Sequence, residues 1–236
     1  MQGTPFPEWR LHMEIVSNPL FGVVLSILTF WFAKWIGGKL KWSVLNPLLL
    51  AIIFCIVILK VFQIPLESYQ VGGDMISMFL GPATAVLAYS IYRQFALLKK
   101  YLIPVVCGCL AGSITSMLSA WILCDLFGLD ESLKASMLPK SVTTPIAIGI
   151  SEQLGGIPSV TVAIVIVTGI LGSVLCPVLL KIFRIQNSIA AGIAIGTCSH
   201  AVGTTKAVEL GEVEGAMSGI AIGVSGILTV LLSLLL

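Results

Sequence analysis

Long apolar stretches dominate the chain, near residues 18–36, 43–62, 72–92, 101–124, 157–180, 187–205 and 214–236. Most approach the roughly 20 residues a helix needs to cross hydrocarbon. Three places interrupt the pattern. "LGPAT" at 80–84 sets Gly81 and Pro82 ahead of Thr84. "PKSVTTPIAIGISEQ" at 139–153 brings Pro139, Lys140, Ser141, Thr143, Thr144, Pro145, Ser151 and Glu152 into one short segment. "GIAIGTCSHAVGTTKAVELGE" at 192–212 adds Gly196, Thr197, Ser199, His200, Gly203, Thr204, Thr205, Lys206 and Glu209. Such segments do not suit a lipid-facing helix, because unwound backbone at membrane depth is tolerated only where protein or a water-filled cavity satisfies it.

Composition points the same way. With 57% hydrophobic and 10% charged residues and a mean hydropathy of +1.06, against roughly 25% charge in a soluble domain, the chain suits a lipid bilayer. The expectation is an all-α integral membrane protein, a single polytopic domain over 1–236, forming a helical bundle with interrupted or re-entrant helices and an internal repeat. Its 13 basic and 11 acidic residues are thinly spread, so no basic run exists to follow the phosphates of a nucleic acid. Six cysteines show no CxxC or Cys/His spacing, so neither a metal site nor a disulfide framework is expected. No catalytic or nucleotide-binding motif is present, and neither enzymatic activity nor a cofactor is expected. The start, "MQGTPFPEWRLHMEIVSNPL", lacks the layout of a cleaved signal, so the first apolar stretch is expected to remain as an anchor.

Charge then orients the chain. Lys34, Lys39 and Lys41 form one basic group, Arg93, Lys99 and Lys100 a second, and Lys181 with Arg184 a third, while Asp125, Asp130 and Glu131 mark an acidic connection. Placing the basic groups in the cytoplasm puts both ends of 131–155 outside, so this segment is expected to enter and return; a broken crossing helix would look similar in sequence. Internal repetition supports a transporter-like plan. Residues 84–94 align weakly with 143–153, matching Thr84 to Thr143, Ala88 to Ala147, Ile91 to Ile150 and Gln94 to Gln153, and each segment precedes a long apolar span carrying Gly-Ser at 112–113 or 172–173. Interrupted segments at corresponding positions point to a midplane binding site.

A half-helix that starts in mid-membrane aims unpaired N–H groups and a positive dipole end inward, which suits a small carboxylate anion. Ser141, Thr143 and Thr144 precede or open such a segment, Thr144 is the expected cap, and Pro145 fits a first turn where its missing N–H costs nothing. The candidate anion-binding set is Lys140, Ser141, Thr143, Thr144, Thr84, Ser199, His200, Thr204 and Thr205, with breaks at Gly81, Pro82, Pro139, Pro145, Gly196 and Gly203. Each has a plainer reading. Hydroxyls also bond their own backbone or join helices, and Lys140 either snorkels to an interface or lends charge to an anion path. His200 is a proton-coupling candidate or a buried structural histidine. Glu152 is a second proton candidate; it and Glu209 either pair with Lys140 and Lys206 or lie at interfaces.

"FLGPATAVLA" (79–88), "PKSVTTPIAIGISEQLGGIPSVTV" (139–162) and "IGTCSHAVGTTKAVELGEVEGAMSGIAIGVSGILT" (195–229) together resemble the LrgB/CidB family of bacterial membrane proteins. The likeness covers about two thirds of the chain, a core of about 70–236. It implies a multi-pass protein of the bacterial inner membrane, usually encoded beside a smaller LrgA/CidA-like membrane partner, with self-assembly into a homo-oligomer left open. Two activities are implied: holin-like or antiholin-like control of murein hydrolases and autolysis, or transport of glycolate, glycerate or pyruvate as in plastid relatives. A pore has no reason to place three polar breaks in an apolar fold whereas a carrier of small carboxylates needs them, so the carrier is the leading expectation.

Overall fold

The computed structural model describes Val16 and residues 18–40, 47–93 and 95–236. Every regular element among the described residues is a helix. The chain divides into two compact units, Met1–Gly81 and Pro82–Leu236. In the first, α1 (Leu20–Leu40) packs on α2 (Pro47–Val61) and α3 (Leu66–Ser77). Gly22 and Gly72 let α1 and α3 approach backbone to backbone, and Ser26 shares a 2.8 Å hydrogen bond with Tyr69 across that crossing. The helix α4 (Leu80–Arg93) begins at the boundary between the units, with Gly81 and Pro82 in its first turn. Thr84 lies on α4, but its side chain, like residue Gln94, is outside the described part of the molecule.

The second unit continues with α5 (Phe95–Lys100), α6 (Leu102–Leu126), α7 (Glu131–Met137), α8 (Thr144–Gln153), α9 (Pro158–Ile182), α10 (Ser188–Leu210) and α11 (Glu212–Ser233). Four described helices, α1, α6, α9 and α11, are long and apolar enough to cross a membrane. Their polarity is inside out relative to a soluble bundle: Ile103, Leu118, Leu126, Leu171 and Ile227 are exposed, whereas Ser113, Thr161, Ser173, Ser218, Ser225 and Thr229 are buried. Lipid accepts the apolar exterior, so the small and hydroxylated residues are free to mediate close helix packing inside.

The segment 131–155 enters and returns, as its charge pattern predicts. Asp130 caps α7 through a 2.8 Å bond from the Leu133 amide. The chain then leaves helical geometry over 138–143, and α8 brings it back. Leu138 and Leu154, before and after this excursion, pack in one cluster with Met117, Ala120, Trp121 and Leu232 near the C-terminal ends of α6 and α11. Between them Ser141 reaches Ser116, the residue before Met117, and Ile146 lies against Gly226, more than a helical turn deeper than Leu232. The 10 residues of α8 span only about 15 Å, half of the hydrocarbon core. Gly155, at φ +76°, supplies the left-handed turn that ends α8. Thr161 then donates to Ser151 at 2.7 Å and the Ile157 amide to Ser136 at 2.7 Å, fastening the hairpin to α9.

The break at 192–212 takes a form the apolar stretch 187–205 does not announce. It is a second hairpin. Along α11, Gly192 lies against Glu214 and Met217 and Gly196 against Ser218 and Ala221, so the first limb of α10 runs parallel to α11. Beyond His200 the direction reverses: Thr204 bonds Ser218 at 2.7 Å and Val208 lies against Gly215. The reversal falls on His200, at φ 40° and ψ −142°. Gly196 and Gly203, expected as the breaks, are helical within the two limbs and serve close packing.

A long helix followed by a hairpin thus occurs twice, with α6 and α9 antiparallel and the hairpins entering from opposite ends. Residues 84–93 and 144–153 of the aligned segments fall on α4 and α8, each preceding a long helix, while the inverted pairing itself carries no readable sequence identity. Lys99, Lys100, Lys181 and Arg184 gather at the end where α6 and α10 begin; Asp125, Asp130, Glu131 and Glu152 lie at the other.

Candidate functional site between two hairpin tips

The two tips converge on one turn of α9. Val142 and Ala147 of the first hairpin pack on the side chain of Val165. His200 of the second hairpin donates through Nε2 to the Val165 carbonyl at 2.9 Å; since a carbonyl only accepts, that nitrogen carries a proton. Gly169 and Gly172 make the approach feasible, because a methyl group at Gly169 would stand 2.5 Å from His200 Cε1 and one at Gly172 would overlap Ser199.

The first tip holds the polar set. Thr143, not Thr144, is the N-cap of α8, with Thr144 and Pro145 opening the first turn. Its carbonyl accepts from the Ala147 amide at 2.9 Å, but its hydroxyl makes no cap bond. Thr143 is 6% exposed and its Oγ1 has no hydrogen-bond partner, a condition that costs about 1–3 kcal/mol when nothing relieves it. Ser141 shares a 2.7 Å bond with Ser116. Lys140 Nζ donates to both the carbonyl and the hydroxyl of Ser116, each at 2.9 Å, and no carboxylate lies within ion-pairing distance of it among the described residues. Lys140 therefore does not snorkel to an interface: its ammonium turns inward, from the segment between the C-terminus of α7 and the N-terminus of α8.

The second tip is more self-contained. Thr204 donates to the His200 carbonyl at 3.0 Å and also bonds Ser218. Ser199 is buried beside Gly172 and Cys176. Thr197 reaches the Cys109 sulfur at 3.4 Å. The hairpin also brings a second half-helix N-terminus, that of residues 201–210, to the meeting point. Thr205 belongs elsewhere, exposed and bonded to the carbonyl of Val202. Lys206 pairs with Glu209 at 2.6 Å, whereas Glu152 is exposed near the far end of α8 and is not gathered with Lys140 or His200. Among the described residues no group of three metal-ligating side chains assembles. Ser116 is the participant that sequence reasoning missed; it is one serine in an apolar helix, and its only signal is the local run "GSITS".

No solved structure matches the chain. Sequence comparison is decisive instead. The model of the "LrgB-like family" matches residues 26–236, taking in α1 to α3 as well as both hairpins. A relative described as "Antiholin-like protein LrgB" from Bacillus mycoides (strain KBAB4) is 40% identical over 219 residues, 92% of this chain and 95% of the relative. Proteins of the same description from Bacillus cereus (strain B4264) and Bacillus anthracis (strain CDC 684 / NRRL 3495) match at the same 40% identity and coverage. With both hairpins and the helices they pack against inside the matched region, the chain belongs to the LrgB family of multi-pass bacterial inner-membrane proteins.

Proposed function

We propose that this protein carries small monocarboxylates of the glycolate, glycerate or pyruvate kind across the membrane, binding the anion at the N-terminus of α8. The observation that carries this reading is the Thr143 hydroxyl, buried and unpartnered, beside a lysine without a carboxylate partner among the described residues. A buried donor and an inward ammonium are both expensive at membrane depth, and one bound carboxylate relieves both. The N–H groups of the first turn of α8 add donors in the same direction. Val142, Ala147 and Val165 offer a short apolar wall, which suits a two- or three-carbon anion. Of the two proton-coupling candidates, His200 lies beside this site and Glu152 does not.

The purified protein reconstituted in liposomes is the test. Uptake of a labelled 2-hydroxy or 2-oxo monocarboxylate is expected, with Lys140→Gln, Thr143→Val and His200→Ala each lowering it while the protein stays in the membrane. Failure to move or bind any such anion, with or without a small LrgA/CidA-like partner, would exclude the carrier reading.

A second reading draws on the relatives' description as antiholin-like proteins. In it the chain modulates murein hydrolase activity and autolysis together with the small membrane partner. Altered lysis in cells lacking the protein, returned to normal by a Lys140→Gln variant that binds no carboxylate, would separate lysis control from anion flux.

A further inference from the structure

A cavity of about 460 Å³ opens between the N-terminal halves of α6 and α10, lined by Tyr101, Pro104 and Gly108 on one side and by Asn187, Ala190 and Ala194 on the other. Both linings continue inward with helical spacing. On α6 the positions after Pro104 and Gly108 at intervals of four are Gly112 and Ser116, and Ser116 is the residue that holds the Lys140 ammonium. On α10 the position after Ala190 and Ala194 is Cys198, which is exposed although its neighbours Thr197 and Ser199 are buried. Thr197, one position before Cys198, lies against Gly112, one turn before Ser116. Two parallel helices therefore run from the same cavity toward the same lysine, touching one another where Ile193 meets Gly108 and Thr197 meets Gly112.

The opposite end carries only smaller cavities among the described residues, of about 210 Å³ beside Met117, Trp121 and Leu232 and of about 140 Å³ beside Lys134 and Leu154. Met117, Ala120 and Leu138 pack there with Trp121, Leu154 and Leu232. Lys134, 6% exposed, pairs with Asp125 and Glu131 and lies over the Trp121 ring at 5.1 Å.

Resting on the anion site proposed above, we infer that the α6–α10 cavity is a water-filled vestibule that connects the Lys140 site to the basic, cytoplasmic end of the molecule, with Ala194 on its wall. A hydrated carboxylate needs such a path, since its desolvation in lipid is prohibitive. The basic residues at the mouth draw anions to it.

Cys198 reports on the path without any transport. In the full-length Cys107→Ser protein, reconstituted in vesicles, a membrane-impermeant sulfonated methanethiosulfonate is expected to modify Cys198 at least tenfold faster from the Tyr101/Asn187 side than from the Asp125 side. Ala194→Phe is expected to slow this at least tenfold, and if that variant does not fold, Ala190→Phe at the mouth tests the same route. Lys140→Gln is expected to slow the anionic reagent about tenfold relative to a cationic one. A Cys198 that reacts with a lipid-soluble maleimide but not with the charged reagent would make the cavity a lipid-facing groove and overturn the inference, as would a rate indifferent to Ala194→Phe. Because these rates require no flux, a vestibule that passes this test in a protein that moves no carboxylate would sink the carrier reading alone.

Discussion

His200 Nε2 lies 2.9 Å from the carbonyl oxygen of Val165, and the side chain of that same valine packs on Val142 and Ala147. One turn of α9 thus senses both hairpins. The backbone of His200, at φ 40°, occupies a region that a residue with a Cβ enters only at a cost of about 1–3 kcal/mol, so its ring must be worth more here than the easier backbone of a glycine.

This sets His200→Gly against His200→Gln. Glycine removes the strain of the reversal but loses the bond to Val165; glutamine keeps a donor and the strain. Expected is a net loss of thermal stability of about 1–2 kcal/mol in the glycine variant, the lost bond and the lost packing of a buried ring together outweighing the relieved strain, with a smaller loss in the glutamine variant. Detergent-solubilised melts read by size exclusion decide it. A glycine variant as stable as the parent would make the Val165 bond inconsequential.

Thr143→Val separates a ligand-directed hydroxyl from a structural one. The hydroxyl contributes no bond to the protein, and valine is nearly its shape. Stability in the absence of anion is therefore expected to be unchanged or higher by about 1 kcal/mol, because an unsatisfied buried group is removed. Carboxylate-induced stabilisation is expected to shift to concentrations about fivefold to tenfold higher. Thr161→Val, which breaks the bond to Ser151, is expected to behave in the opposite way: destabilised by about 0.5–1.5 kcal/mol with its anion response intact.

The first hairpin was legible in the sequence because two independent signals coincide there. Pro139 and Pro145 bracket hydroxyls, and the charges on either side require the chain to return to the side it came from. The second hairpin gave only one of these signals. Its glycines and hydroxyls announce a departure from an ordinary span, but its reversal rests on His200, a residue without the intrinsic preference for positive φ that glycine has. Gly196 and Gly203 drew attention for backbone freedom when their service is closeness to Ser218 and Ser199. Thr143 against Thr144 as the cap differs by one position, a shift that composition does not resolve. Ser116 stayed hidden because its importance arises from Lys140, 24 residues later, and tertiary proximity leaves no local trace.

Gly172→Ala tests whether the tips meet as described. The added methyl would overlap Ser199 Oγ and Cβ, and α9 and α10 would have to separate. Overpacking of this kind costs about 1–3 kcal/mol, so a lower melting temperature and a weaker carboxylate response are both expected. Ser199→Gly removes the atoms in the way. The double variant is expected to recover most of the stability lost by Gly172→Ala, a coupling that two distant sites would not show.

Ser116→Ala probes the resting place of the lysine, and its expected direction differs from that of Lys140→Gln. In the empty site Lys140 spends two of its ammonium protons on the carbonyl and hydroxyl of Ser116, while Ser141 is occupied by the same hydroxyl. An arriving carboxylate competes with those bonds. Alanine leaves the carbonyl in place but releases both Ser141 and one ammonium proton, so the protein itself is expected to lose about 1 kcal/mol of stability. Carboxylate binding, by contrast, is expected to tighten, by about twofold to fivefold, because less must be broken to accommodate the anion. Lys140→Gln removes the charge and is expected to abolish the response. Binding measured by the anion dependence of the melting temperature distinguishes the two. If Ser116→Ala weakened binding as Lys140→Gln does, Ser116 would be a ligand of the anion and not a competitor for the lysine.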